Sequence, residues 1–147
     1  KVPLCKEVKL PLKVYEDPTA FKLFTLDLGL LGAMVGTEAK QVLIKNDIFS
    51  EYKGGMTEQY VLEEMKSNGE ENIFYHKADD GTRLEIDFMI QRDGKLLPIE
   101  VKAEGNVRAN SLSNLLKQTP ELRAFRYSMK PYIEQEQMTC YPLYAIQ

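Results

Sequence analysis

The chain is poor in the residues that build soft metal centres: it has two cysteines and one histidine in 147 residues. Cys5 and Cys140 stand near opposite ends with no Cys-x-x-Cys spacing, so a zinc site is not expected. Two free thiols in a reducing cytoplasm are the plainer expectation. No run of about 18 apolar residues occurs, which leaves no candidate membrane span. The opening KVPLCKEVK is broken by charge and does not read as a signal peptide. Neither sign of charge dominates. With 19 basic and 22 acidic residues the net charge is −3 and the pI about 5.3, so the whole chain is not a general polyanion binder. Any nucleic-acid contact must come from a local patch, a metal or another domain. Also missing are a phosphate-binding GxxxxGK[ST] loop, a GxGxxG fingerprint, a GxSxG elbow, internal repeats and low-complexity segments. The chain opens on Lys1 rather than Met, as a fragment of a longer polypeptide would.

What remains is one domain of ordinary size, long enough to bury a core. Residues 1–20 carry Pro3, Pro11 and Pro18 without a sustained period and read as a lead-in arm or linker end. FKLFTL, from Phe21 to Leu26, suits a short strand. Asp27 is a candidate N-cap for a short helix that stops at Gly36. A longer helix is expected from about Asp47 to Ser67, with Asn68-Gly69 as its stop. Its residues Glu58, Val61, Leu62 and Met65 fall on one face. Glu58 thus sits on an otherwise apolar stripe, where a carboxylate needs a partner or a route to water.

NIFYHK, from Asn72 to Lys77, alternates as a strand, and its His76 is expected to be a surface or packing residue. The clearest feature follows. LEIDFMIQRDGKLLPIEVKA, from Leu84 to Ala103, reads as a β-hairpin about Asp93-Gly94, a two-residue type I′ turn signal. Symmetry about that turn sets Arg92 against Lys95, Ile90 against Leu97, Asp87 against Glu100 and Glu85 against Lys102. Alternation then puts Ile86, Phe88, Ile90, Leu97, Ile99 and Val101 on one face, and the four charged residues on the other. Facing carboxylates, with β-carbons roughly 4.5–5.5 Å apart, repel, and a hard divalent cation is the simplest relief. Glu85–Lys102 alone would be an ordinary cross-strand ion pair. Beyond the hairpin lie a polar loop from Gly105 to Asn110, a helix from Ser111 to Gln118, a strand from Leu122 to Met129 and a final β-like run from Met138 to Ile146. Pro142 suggests that the last run lies at an edge. The expected architecture is α/β (α+β), a mixed sheet flanked by helices, with a parallel crossover through the second helix.

A helix Glu, a strand Asp and a Glu-x-Lys on the paired strand, here Glu58, Asp87, Glu100 and Lys102, resemble the PD-(D/E)XK nuclease superfamily. The order helix-strand-strand-strand-helix-strand is also similar to the restriction-endonuclease-like core. FKLFTLDLGLLGAMVG, YKGGMTEQYVLEEM, the hairpin and YPLYAIQ together resemble the C-terminal domain of unknown function of prokaryotic AAA+ ATPases, over residues 21–147. Residues 21–46 would then be a family-specific N-terminal extension. The resemblance implies metal-dependent hydrolysis of nucleic acid, DNA rather than RNA, in the cytoplasm, within a chain that carries an upstream ATPase domain. Asp87 and Glu100 would bind Mg²⁺ (or Mn²⁺), with the Val101 carbonyl and Glu58 as further ligands. Lys102 would orient the attacking water or stabilise developing charge. Arg108, Lys117, Arg123 and Arg126 form a locally basic stretch suited to substrate phosphates. The alternative is a catalytically inactive module that binds nucleic acid or protein for that ATPase.

Overall fold

In the computed structural model, the residues described are 1–36, 50–79, 84–103 and 110–146, with backbone alone for 50–52 and 110. Eight strands form one mixed sheet: β1 (Val2–Cys5), β2 (Glu16–Lys22), β3 (Phe74–Lys77), β4 (Glu85–Arg92), β5 (Lys95–Lys102), β6 (Ala124–Ser128), β7 (Ile133–Glu134) and β8 (Met138–Pro142). Their spatial order is β2-β1-β3-β4-β5-β6-β8-β7. The pairing is mostly antiparallel, with β1·β3, β5·β6 and β6·β8 parallel. Three α-helices accompany the sheet among the described residues: α1 (Leu28–Val35), α2 (Ser50–Ser67) and α3 (Asn110–Gln118). The fold is therefore mixed α+β.

Local chemistry accounts for several boundaries. Asp27 caps α1 by accepting from the Leu30 N–H at 2.7 Å, and Gly36 closes it at φ 69°. The helix α2 runs through Gly54-Gly55 and ends where Gly69 turns at φ 89°; the expected start at Asp47 lies outside the described residues. Asp93 (φ 51°) and Gly94 (φ 71°) both adopt the left-handed conformation that a type I′ turn requires. The β4–β5 register accordingly runs from Arg92↔Lys95 through Ile90↔Leu97 to Phe88↔Ile99, as the turn predicts.

Two hydrophobic clusters flank the sheet. Phe88, Ile90, Ile99 and Val101 pack with Val61, Leu62 and Met65 of α2. Ile86 and Met89 pack with Leu112, Leu115 and Leu116 of α3, together with Cys5 and Leu12. Each fully buried side chain of this size contributes about 1.5–3 kcal/mol. Ile86 thus lies on the face opposite Phe88, not beside it as strict alternation predicts. The cause is a bulge: β3 pairs Phe74↔Met89 but His76↔Ile86, so β4 carries one extra residue around Asp87-Phe88.

The first twenty residues, read as an arm, instead supply β1 and most of β2, and Val2, Cys5 and Leu12 are buried. These two strands pair with each other, and their link to the rest of the sheet is distant in sequence: Leu4 pairs with Tyr75. The expected strand at Phe21–Leu26 overlaps only the end of β2. Pro142 follows a similar logic. The strand β8 lies between β6 and β7, but β7 reaches only Thr139 and Cys140, so Pro142 faces an unpaired side beyond that short cover. Both cysteines are free and buried, and His76 is a packed residue whose Nδ1 lies 2.9 Å from the Cys5 carbonyl oxygen.

Candidate functional site

The hairpin and α2 bring the predicted carboxylates to one region, but each finds a different partner. Glu100 follows Ile99 on β5 and faces away from the α2 cluster. Only 5% of it is exposed. Its Oε1 lies 3.1 Å from Lys102 Nζ, and its Oε2 accepts from Arg126 Nε at 3.0 Å and lies 2.9 Å from the Nη2 of the same side chain. Parallel pairing of Glu100 with Arg126 across β5 and β6 makes that contact. A buried carboxylate bound by two cations is compensated by the protein itself.

Asp87 sits at the bulge. The β4–β5 ladder stops at Phe88↔Ile99, and beyond it the Val101 N–H donates to Asp87 Oδ2 at 2.8 Å. A side-chain oxygen there stands in for the missing backbone acceptor. Burial, reinforced by the negative charge of Glu58, pushes the Asp87 carboxyl from its ordinary 3.8 up to about 6. The Val101 hydrogen bond and the charges of Lys22 and Lys102 oppose the rise without cancelling it. The like charge that bears on Asp87 therefore comes from α2. Glu100, the residue opposite it in the expected register, is drawn toward Arg126.

Glu58 is half-buried at the edge of the α2 stripe whose Val61 and Met65 are fully covered. Its Oε2 lies 3.5 Å from Lys22 Nζ, and the same ammonium lies 2.9 Å from Glu85 Oε1. The expected Glu85–Lys102 pair is thus replaced by Glu85–Lys22 and Glu100–Lys102. The bulge at Asp87-Phe88 ends the regular register that would have set Glu85 against Lys102. Burial disfavours the charged form of Lys22, but Glu58, Glu85 and Asp87 together hold its pKa above the ordinary value.

The basic stretch is only partly available. Arg126 is engaged by Glu100, Arg123 donates to the carbonyl of Glu136, and Lys117 is exposed in the last turn of α3. Arg108 lies outside the described residues. Among the described residues, no three His, Cys, Asp or Glu side chains converge closely enough to hold a metal ion. The donors that bear on each other are the hard oxygens of Asp87 and Glu58, and the Val101 contact seen is through its N–H.

Two residues here had no advance signal. Lys22 stands in a proline-punctuated segment far from the hairpin. Gln59, next to Glu58, is 2% exposed. It accepts from the Thr25 N–H at 3.0 Å and donates to the Thr25 carbonyl at 3.2 Å and to Glu63 at 2.6 Å. It thereby ties α2 to the segment just after Lys22. Lys22 and Glu58 also border a cavity of about 590 Å³, walled by Phe24, Leu31, Met34 and Met56.

A family model described as a domain of unknown function, DUF4143, matches residues 53–145. That span takes in Glu58, Asp87, Glu100, Lys102 and Arg126, and leaves Lys22 outside. No curated protein matches the chain. No helix among the described residues is long and apolar enough to cross a membrane.

Proposed function

The chain belongs to the DUF4143 family of domains of unknown function, and we propose that it is a metal-dependent phosphodiesterase acting on DNA. It would have a restriction-endonuclease-like core and would serve as the C-terminal domain of a cytoplasmic AAA+ ATPase. The observation that carries this reading is the Asp87 carboxylate, bound to the Val101 N–H at the bulge of β4 and within electrostatic reach of Glu58 on α2. A helix and a bulged strand bring two carboxylates near enough that Glu58 helps to raise the Asp87 carboxyl to about 6. A carboxyl raised by burial together with a specific neighbouring charge is a candidate functional group. The sequence of elements from α2 through β3, β4, β5 and α3 to β6 supports the same reading.

The donor set fits a hard cation such as Mg²⁺ or Mn²⁺ in kind, since both groups offer carboxylate oxygens. Asp87 and Glu58 would hold the ion; Glu100, closed between Lys102 and Arg126, and the Val101 carbonyl are the further donors that the resemblance implies. When bound, the ion would polarise the phosphoryl oxygen and acidify water. The protein's own groups have separable roles. The Val101 N–H fixes the Asp87 carboxylate against β5. Lys102, held by Glu100 and within the electrostatic reach of Asp87, would meet the negative charge that develops on the phosphate.

A second reading has its own support. Glu100 is closed between Lys102 and Arg126, which suits an inactive module that keeps the fold and binds nucleic acid or protein. Calorimetric titration with Mn²⁺ separates the two. The phosphodiesterase reading expects binding by the wild type and its loss, by at least about tenfold in affinity, in Asp87→Ala. Absence of binding by the wild type would favour the inactive module.

A further inference from the structure

Lys22 touches more of the candidate carboxylates than any residue the family resemblance supplies, and it comes from β2, outside the matched span of 53–145. Its ammonium lies 2.9 Å from Glu85 and 3.5 Å from Glu58, and 5.3 Å from the centroid of the Tyr75 ring. Asp87 also feels its charge. The Lys22 side chain is only 23% exposed, so water screens these interactions less than at an open surface. Its position at the C-terminal end of β2 is fixed from two sides. The register Val2↔Lys22 sets it at the edge of the sheet, and the Gln59–Thr25 hydrogen bonds hold the following segment to α2.

We infer that Lys22 is a positioning residue, the internal counter-cation of this site, and that it competes with a divalent ion for Glu58 and its neighbouring carboxylates. The competition follows from charge: a bound dication and an ammonium cannot both take the same carboxylate oxygens without repelling each other. Room for withdrawal exists, because Lys22 and Glu58 line the same cavity of about 590 Å³. The site would therefore exchange an internal monovalent cation for an external divalent one. The strands before residue 53 would be part of it. The metal arm of this inference rests on the phosphodiesterase reading; the counter-cation arm does not.

The experiment uses the chain with Lys22→Gln, Glu58→Gln, both changes together, and Lys22→Arg as the charge-keeping control. Thermal melts near neutral pH read the counter-cation directly. With Lys22 replaced by glutamine, Glu58→Gln only relieves repulsion on Asp87 and should raise Tm. With Lys22 present it also removes an attraction, so its effect should be lower by about 1 °C or more. Lys22→Arg should show the same dependence on Glu58 as the wild type. Equal effects of Glu58→Gln in the wild-type and Lys22→Gln backgrounds would overturn the inference. Mn²⁺ titration then reads the competition: Lys22→Gln should bind about tenfold more tightly than the wild type, a gain that structural damage would not produce. Equal or weaker binding by Lys22→Gln overturns the competition. If neither protein binds Mn²⁺ while the melts remain non-additive, the phosphodiesterase reading fails and the counter-cation stands.

Discussion

Asp87 is held in a state that costs the fold stability. Its carboxyl is raised from 3.8 to about 6, so between those values the folded chain binds more protons than the unfolded one. Stability from this group is fully present below about pH 4 and is lost as the pH rises through about 6. The loss is at most about 3 kcal/mol, from 1.36 kcal/mol per pH unit, and solvent screening of the half-buried group reduces it. Asp87→Asn keeps an oxygen for the Val101 N–H and cannot ionise. Urea denaturation should therefore find Asp87→Asn more stable than the wild type at about pH 7, with the difference closing near pH 4. A difference independent of pH would show that Asp87 is not strained by its surroundings. Glu100 illustrates the opposite case, since Lys102 and Arg126 neutralise it on the spot.

At the scale of elements, the β4–β5 hairpin depends on its turn. Gly94 has φ 71° with open space around it, so a β-branched replacement meets backbone strain rather than a clash. Gly94→Val should cost about 1–3 kcal/mol in chemical denaturation; an unchanged midpoint would mean that the turn does not set the register. This hairpin was legible in the sequence because its signal is local: two apolar runs about Asp-Gly. The capped helix α1 was legible for the same reason, through Asp27 and Gly36. The Glu58 stripe on α2 followed from periodicity. What could not be read were the non-local features. The bulge at Asp87-Phe88 arises from pairing with β3, and it moved Ile86 to the other face and separated Glu85 from Lys102. Arg126 faces Glu100 only because β6 lies parallel to β5. The strands β1 and β2 are short, interrupted by proline, and joined to the rest of the sheet through a strand far along the chain (Leu4 with Tyr75); no local pattern announces them.

For the molecule as a whole, the sheet joins two sequence regions that the family match divides. The matched span contributes α2, the hairpin, α3 and the strands after it, and β1 and β2 add Lys22. The candidate carboxylates and their cations thus form a linked set, from Glu85 and Glu58 through Lys22 to Asp87, and from Asp87 through Lys102 to Glu100 and Arg126. Four carboxylates face three cations in this set, so one negative charge is left over once Asp87 ionises. Recognition of DNA would then depend on local cations and bound metal rather than on the overall field. The most direct measurement is conversion of supercoiled plasmid to nicked circles by the wild type, Asp87→Ala and Lys102→Ala, with Mg²⁺ or Mn²⁺ and with EDTA. The account predicts metal-dependent nicking by the wild type, abolished by EDTA and reduced at least about a hundredfold by either substitution. No nicking by the wild type, or equal nicking by all three proteins, would contradict it.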